Sequence, residues 1–309
     1  MPHADPEAWV FHDGEFKRYR DVHLGLFTHA LLFGTGCFDS VRGYWNDERE
    51  QLFLLQPADH YERLADSCGV LFLDLPHTTA ELIDLTAELV RRNEIRQTCY
   101  VRSLVFKSAE GFAIPYREMP TSVALVSVPM GMYLDTDKGV RCKVSSWRRI
   151  SDDAVPPRAK ITGTYVNAYL ARLEAEDAGY DEAILLDSSG HVSEGPGENL
   201  FMKRGDQWVT PPVTADILEG VTRKTLLRLI RDDLGLRAVE RTIDRSELYA
   251  CDELFLCGTG AEITPVIDVD GRPVGSGKVG DSTAKLQELF FAMTRGDLDR
   301  YKDWLVPVY

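Results

Sequence analysis

The spacing of apolar and polar residues changes several times along this chain, and each change marks an element. Residues 8–11 are a short apolar run closed by Asp13-Gly14, which predicts a strand and a hairpin turn. Residues 50–55 read as another strand. Over 57–68 the period becomes helical, with Tyr61, Leu64 and Ala65 on one face. A second amphipathic helix is predicted over 78–93, capped by Thr78 or Thr79 with acids in its first turn. Residues 100–106 alternate as a strand does, and 122–129 are nearly all apolar, as in a strand buried on both faces. The stretch 130–139 carries Gly131, Asp135, Asp137 and Gly139 and reads as a linker. Beyond it come a strand over 140–147, a loop with Pro156-Pro157, and a helix over 163–178. A hairpin of 183–186 and 191–194 follows, then a strong helix over 220–234 and a short buried strand over 253–257. No repeat or low-complexity tract interrupts this order. The alternation predicts a mixed α/β or α+β chain of two domains. The expected division is a small amino-terminal domain over 1–129, an interdomain loop over 130–139 and a large domain over 140–309.

Composition supports a buried core, with 44% hydrophobic and 27% charged residues, the balance of a globular chain. The formal charge of −14 argues against nucleic acid, which needs clustered Lys and Arg, and gives no reason to expect anionic membranes. Any anion site must then be built from local positive groups. The six cysteines form no C-x-x-C pair and no zinc spacing, so no metal is expected. The first ten residues do not read as a signal peptide, and no apolar run approaches the ~18 residues of a membrane helix. Free thiols in a reducing cytoplasm are the plain expectation.

Four segments hold residue types that do chemistry. Arg158-Ala159-Lys160-Ile161-Thr162-Gly163 puts a lysine on a strand-to-helix connection among small and apolar neighbours. A lysine amine becomes a nucleophile when it sheds its proton near neutral pH, which partial burial favours. The ordinary alternative is a surface lysine with a snorkelling stem. His191-Val-Ser-Glu194-Gly-Pro-Gly-Glu-Asn-Leu-Phe201 ends a strand in a tight turn where a backbone can approach a ligand. Glu194 at that turn suits a pairing with a ring nitrogen; a solvated turn acid is the alternative. Leu218-Glu-Gly220-Val221-Thr222-Arg-Lys224 opens a long helix, and free N–H groups at a helix start bind phosphate. An empty helix cap looks the same in sequence. Cys257-Gly-Thr259-Gly260-Ala261-Glu-Ile-Thr-Pro265 follows a buried strand with small residues that expose N–H groups. It is as much a turn as a site, and it is not a Walker loop.

Taken together and in this order, the segments resemble the fold-type IV pyridoxal-phosphate enzymes, the class IV aminotransferases. The likeness runs from about Trp9 to beyond Gly280 and is strongest to the branched-chain amino acid aminotransferases. Its most specific stretches are 193–201 and 258–266, joined by Asp59-His60-x-x-Arg63-Leu64 and Leu218-x-Gly-Val-Thr-Arg223. The resemblance implies a two-domain architecture like that of D-amino acid aminotransferase, with the cofactor lysine in the large domain. It implies that Lys160 is the Schiff-base lysine, that Glu194 faces the pyridine nitrogen and that Tyr165 bonds the phenolic oxygen. Arg63, Gly220, Val221, Thr222 and Thr259 match the phosphate cup. Tyr100 and the N–H groups around Thr259, Gly260 and Ala261 match the α-carboxylate site, and Arg102 suits the distal carboxylate of glutamate. Phe38, Met130, Tyr133 and Tyr165 match an apolar pocket, beside Phe33 and Arg42. The implied reaction transfers an amino group from L-leucine, L-isoleucine or L-valine to 2-oxoglutarate in two alternating halves. A homo-oligomer, at least a dimer, completes each site.

Three places depart from the branched-chain pattern. Phe38-Asp39-Ser40-Val41-Arg42 stands where those enzymes read Phe-Glu-Gly-Ile-Arg, Phe33 replaces a tyrosine and Met130 replaces a tryptophan. These changes bear on the pocket and not on the cofactor residues. They keep open a transaminase of (R)-amines or D-amino acids and, further off, a lyase like aminodeoxychorismate lyase. A chain that binds the cofactor without turnover is the remaining option, against which Lys160, Glu194 and Tyr165 together argue.

Overall fold

In the computed structural model, which describes residues 5–112 and 116–309, two sheets carry the chain. Residues 1–4, part of the stretch read as lacking a signal peptide, lie outside the described residues. The strands in chain order are β1 (Trp9–His12), β2 (Glu15–Arg18), β3 (Gly36–Asn46), β4 (Gln51–Leu55), β5 (Cys99–Lys107) and β6 (Thr121–Pro129). Then come β7 (Val140–Arg148), β8 (Glu182–Leu186), β9 (Asn199–Arg204), β10 (Gln207–Thr210) and β11 (Arg237–Glu240). The last are β12 (Glu253–Gly258), β13 (Glu262–Val269), β14 (Arg272–Pro273) and β15 (Leu305–Pro307). The α-helices are α1 (His29–Phe33), α2 (Pro57–Val70), α3 (Thr79–Arg92), α4 (Tyr165–Asp177), α5 (Val221–Asp232) and α6 (Asp281–Thr294).

The first sheet runs β15-β4-β3-β5-β6-β1-β2, antiparallel throughout. Helix α2 packs on β3, and α3 packs on β1 and β6. Their apolar stripes bury Tyr61, Leu64, Leu82, Leu89 and Val90. A full capping box starts α3: Thr78 accepts from the Glu81 N–H while Glu81 reaches back to the Thr78 N–H. The pattern of apolar residues gave no sign of β3. Its eleven residues are buried almost throughout, yet they include Asp39, Ser40 and Arg42. Buried polar groups are tolerated where they have partners, and these do.

The second sheet runs β11-β10-β9-β12-β13-β7-β8, with β14 on β13. It is mixed: β10–β11, β13–β7 and β7–β8 are parallel pairs. Helix α4 lies on β7 and β8 through alanines, Ala171 and Ala175 meeting Ala183 and Leu185, which lets its backbone sit close to the sheet. The expected second arm of the 183–194 hairpin is not a regular strand. Leu186 bridges Val192, and the Ser193 N–H donates to the Leu185 carbonyl. On its other side Val192 donates to Ile243, so the arm is shared between two neighbours.

These sheets belong to two compact units, described separately. The first comprises residues 1–131, 159–163 and 292–309; the second comprises 132–158 and 164–291. They differ from the contiguous division read off the chain, because residues 159–163 and 292–309 go with the first unit. The reason is local pairing. Ile161 bridges Cys37 of β3, and β15 adds to the free edge of β4. Lys160 therefore groups with the first unit. All six cysteines are free and buried. Among the described residues no helix is long and apolar enough to cross a membrane.

Candidate active site

In the first unit, β5 pairs with one edge of β3 over residues 36–43, and the lysine segment fills part of the other edge. The Phe38 N–H donates to the Lys160 carbonyl at 3.0 Å, and the Lys160 N–H donates to Ser67 Oγ on α2 at 3.1 Å. Thr162 Oγ1 donates to the carbonyls of Gly34 and Gly36. Gly34 is left-handed at φ 66, and a Cβ there would sit 2.7 Å from Gly163 Cα, so only glycine allows this approach. Strand, helix and turn thus fix the Lys160 backbone. Its side chain is half-buried, with Nζ 4.9 Å from the Phe38 ring centre.

Beside it lies a buried charged group. Arg63 grips Asp39 with two parallel bonds, Nε to Oδ2 and Nη2 to Oδ1, each 2.8 Å. His60 Nδ1 meets the same carboxylate at 2.8 Å. Burial alone would push the Asp39 carboxyl up, but the Arg63 guanidinium and then His60 hold it well below the usual carboxylate range. His60 is pushed down, first by its own burial. Asp39, which departs from the branched-chain pattern, therefore orients Arg63.

The first unit also carries most of the expected substrate residues. Arg102, exposed on β5, spans the Phe38 ring at 4.7 Å and the Tyr100 ring at 5.5 Å. Its Nε donates to Ser40 Oγ at 3.4 Å, so the serine that replaces a glycine supplies an acceptor. Arg42 is buried and donates to the carbonyls of Gly131 and Met130, at 2.8 and 3.5 Å. It thereby holds the backbone that leaves β6. Phe33 stands half-exposed on α1 against His29, with ring centres 4.6 Å apart.

In the second unit, Glu194 is buried at the end of the bridged arm. Its Oε1 meets Arg149 Nη2 at 2.8 Å. Its Oε2 accepts from Asn199 Nδ2 at 2.9 Å and from the Leu218 N–H at 3.1 Å. The turn that follows is tied by Gly195 N–H to the Glu198 carbonyl at 2.7 Å. Gly220 begins α5 with no side-chain cap, and a Cβ there would overlap Asn199 Oδ1. One glycine therefore serves both the helix start and the Glu194 cluster. Val221 and Thr222, in the first turn of α5, are buried. Arg223 anchors that turn, donating to Thr210 Oγ1, to the Pro211 carbonyl and to Glu240. Thr259, Gly260 and Ala261 form the tight loop between β12 and β13. Tyr165 opens α4 and is half-buried.

Tyr133 belongs to a further polar group. Arg172 donates to its hydroxyl, bonds Glu176 at 2.9 Å and lies 3.6 Å from Glu182 Oε2. Burial first, and the nearby Glu198 second, push the Glu182 carboxyl up to about 8.

The structure thus gathers Lys160, Arg63, Phe38, Tyr100, Arg102, Arg42 and Met130 in one unit and Glu194, Tyr165, Gly220, Val221, Thr222, Thr259, Gly260, Ala261 and Tyr133 in the other. Sequence reasoning missed Arg149, Asn199 as a partner of Glu194, Asp39 as a partner of Arg63, and Arg172. Asn199 and His60 lie inside stretches already singled out, so their types were visible. Arg149 follows Trp147-Arg148 at a strand end and looks like surface charge.

Comparison with known proteins identifies the family. The family model for amino-transferase class IV matches residues 36–269. A probable branched-chain-amino-acid aminotransferase of Aquifex aeolicus is 42% identical over 97% of each chain. Among solved structures, the branched-chain aminotransferase of the archaeon Thermoproteus uzoniensis with norvaline is 40% identical. It superposes with a TM-score of 0.93 over 98% of this chain and 99% of that one. The branched-chain amino acid aminotransferase of Thermobaculum terrenum in its PLP-form is 33% identical. Its TM-score is 0.94, over 99% of this chain and 100% of that one. With both the sequence model and the fold in accord, the chain belongs to the class IV aminotransferases.

Proposed function

We propose that the chain uses pyridoxal 5'-phosphate to move amino groups between L-branched-chain amino acids and 2-oxoglutarate, in two alternating half-reactions. The observation that carries this reading is Lys160, pinned on β3 beside an Arg63 that Asp39 orients, in a chain that matches branched-chain enzymes almost end to end. The donor set fits the cofactor. A half-buried lysine suits its aldehyde, an oriented guanidinium and an uncapped helix start suit its phosphate, and a buried carboxylate suits its ring nitrogen.

Each residue then has its own part. Lys160 would hold the cofactor through its amine, and that amine would serve as base and acid for the proton at the substrate α-carbon. When bound, the cofactor supplies the electron sink for the α-carbanion. Glu194 keeps a proton on the ring nitrogen, and Tyr165 bonds the phenolic oxygen. Arg63, Thr222, Thr259 and the N–H groups that follow Gly220 hold the phosphate. Tyr100 and the N–H groups of the 259–261 loop orient the α-carboxylate. Arg102 suits the distal carboxylate of glutamate, and Phe38, Met130 and Tyr133 meet the aliphatic side chain, with Phe33, Arg42 and Ala261 beside them. A panel of L-leucine, D-alanine and (R)-1-phenylethylamine tests the reading. L-leucine with 2-oxoglutarate is expected to turn over fastest, and preference for either other donor would overturn it.

The working form is a homodimer or larger. The first unit exposes Leu26 (81%), Leu31 (63%), Phe112 (72%) and Tyr116 (76%). Ring contacts Phe27–Phe112 and His29–Tyr116 draw this apolar surface together. Such surface is covered by a partner more often than by water. A monomer by light scattering would contradict this. Six unpaired thiols suit a reducing cytoplasm.

A further inference from the structure

We infer that Arg149 is a positioning residue for the amino-transfer reaction: it holds Glu194 as an anion, so that the proton between Glu194 and the cofactor's ring nitrogen stays on the ring. The inference rests on the proposed role of Glu194 and adds a residue that carries none so far.

The geometry is specific. Arg149 follows the last residue of β7, and its own N–H is fixed to the Leu186 carbonyl at 2.8 Å. Its Nε donates to the Asp216 carbonyl at 3.2 Å, which leaves Nη2 for Glu194 Oε1 at 2.8 Å. Both side chains are largely withdrawn from water, 9% and 5% exposed. The other carboxylate oxygen is held by two neutral donors, Asn199 Nδ2 and the Leu218 N–H. Asn199 is in turn fixed by donating to the Leu218 carbonyl at 2.9 Å. Arg149 is the cation of this cluster.

A proton shared by a carboxylate and a pyridine-type nitrogen resides on whichever base is stronger. A guanidinium and two N–H donors stabilise the charged carboxylate and weaken it as a base. Without the cation, a carboxylate this buried favours its neutral form, since burial penalises charge. The proton would then pass to Glu194 and the ring would lose the charge that draws electrons from the α-carbon. Asn199 and Leu218 fix where the carboxylate lies, and Arg149 fixes its charge.

Arg149→Met and Arg149→Lys separate charge from shape. Infrared difference spectra against matching Glu194→Gln variants report whether Glu194 carries a proton. In the Met variant at neutral pH, a protonated-acid band is expected, and it should vanish in the Arg149→Met/Glu194→Gln double variant. The wild type and the Lys variant should show no such band. The half-reaction with L-leucine should slow about tenfold or more in the Met variant, the loss that one unit of differential protonation brings. The Lys variant should recover most of that rate. Slowing of both variants with no acid band would mean that Arg149 serves only to hold the backbone, and the inference would fall. If Arg149→Met does not fold, the wild type still decides: an acid band assigned to Glu194 there at neutral pH overturns the inference. The infrared measurement reads Glu194 with or without cofactor, so failure of the cofactor reading is told apart from failure of this one.

Discussion

The two units each bury a carboxylate beside a guanidinium, and they use the pair in opposite ways. In the first unit Arg63 meets Asp39 through two parallel bonds that lock the plane of the guanidinium. On the proposed reading the carboxylate there is the support and the arginine is the residue offered to a ligand phosphate. In the second unit the Glu194 oxygens are divided, one to Arg149 and one to two neutral donors. On the same reading the arginine here is the support and the carboxylate is the working group. A fork-shaped grip suits the aiming of a cation, and a divided grip suits the control of one anion's charge. Reading either pair as a stabilising salt bridge alone would miss this, because buried ion pairs are weak evidence for stability.

Substitutions test the contrast, in order of expected effect. Lys160→Ala should abolish turnover with L-leucine while both ion pairs remain. Continued multiple turnover would remove Lys160 from the chemistry and leave the comparison without its centre. Asp39→Asn strips the support from Arg63 and should cost on the order of 3–5 kcal/mol in stability, since it removes the anion of a buried pair. Chemical unfolding measures this, and adding Arg63→Met to the same chain should restore part of the loss. A cost within about ±0.5 kcal/mol would mark the pair as solvated. Glu194→Gln keeps size and most hydrogen bonds, so it should act on rate more than on folding. Transamination with L-leucine should fall by at least about two decades, or ~2.7 kcal/mol of barrier, with cofactor still bound. Near wild-type half-reaction rates would make Glu194 a turn residue. The last substitution acts through pH: the Glu182 carboxyl is pushed up to about 8 from an ordinary 4.5. The folded chain holds this proton where the unfolded chain has lost it, so stability should decline as pH rises between those values. The slope is at most ~1.4 kcal/mol per pH unit. Glu182→Gln should flatten that decline in thermal scans at stepped pH, and an unchanged slope would show that another group is responsible.

The family was legible in the residues because the stretches that carry the resemblance are short and continuous. Glu194 and Asn199 share one turn, and Gly220 and Thr222 open one helix. Strong amphipathic helices such as α2 and α3 were equally plain, since their apolar faces repeat at helical spacing. Strand β3 was not legible. Its Asp39, Ser40 and Arg42 are polar in sequence and buried in the fold, and only Arg63, His60 and the 130–131 carbonyls explain how. Arg149 was hidden for the same reason: Glu194 is 45 positions away, and a charge at a strand end looks solvated until its partner is known. The grouping of residues 159–163 and 305–307 with the first unit has no local signal, because it rests on strand pairing across long separations. Local periodicity carries no trace of such pairings.

The pairing at the carboxyl end also shapes how the protein is made. Strand β15 covers the β4 edge, and Gln51 Oε1 accepts the N–H of Tyr309 across 258 positions of sequence. Synthesis proceeds from the amino end at roughly 5–20 residues per second, so β4 waits on the order of 10–50 s for its neighbour. During that interval the nascent chain presents the backbone of β4 as an open sheet edge. The lysine segment arrives earlier, so β3 is covered before β4. Early in its life on the ribosome the protein therefore holds its Lys160 segment in place with one sticky flank, and a chaperone's most useful moment falls between those two events.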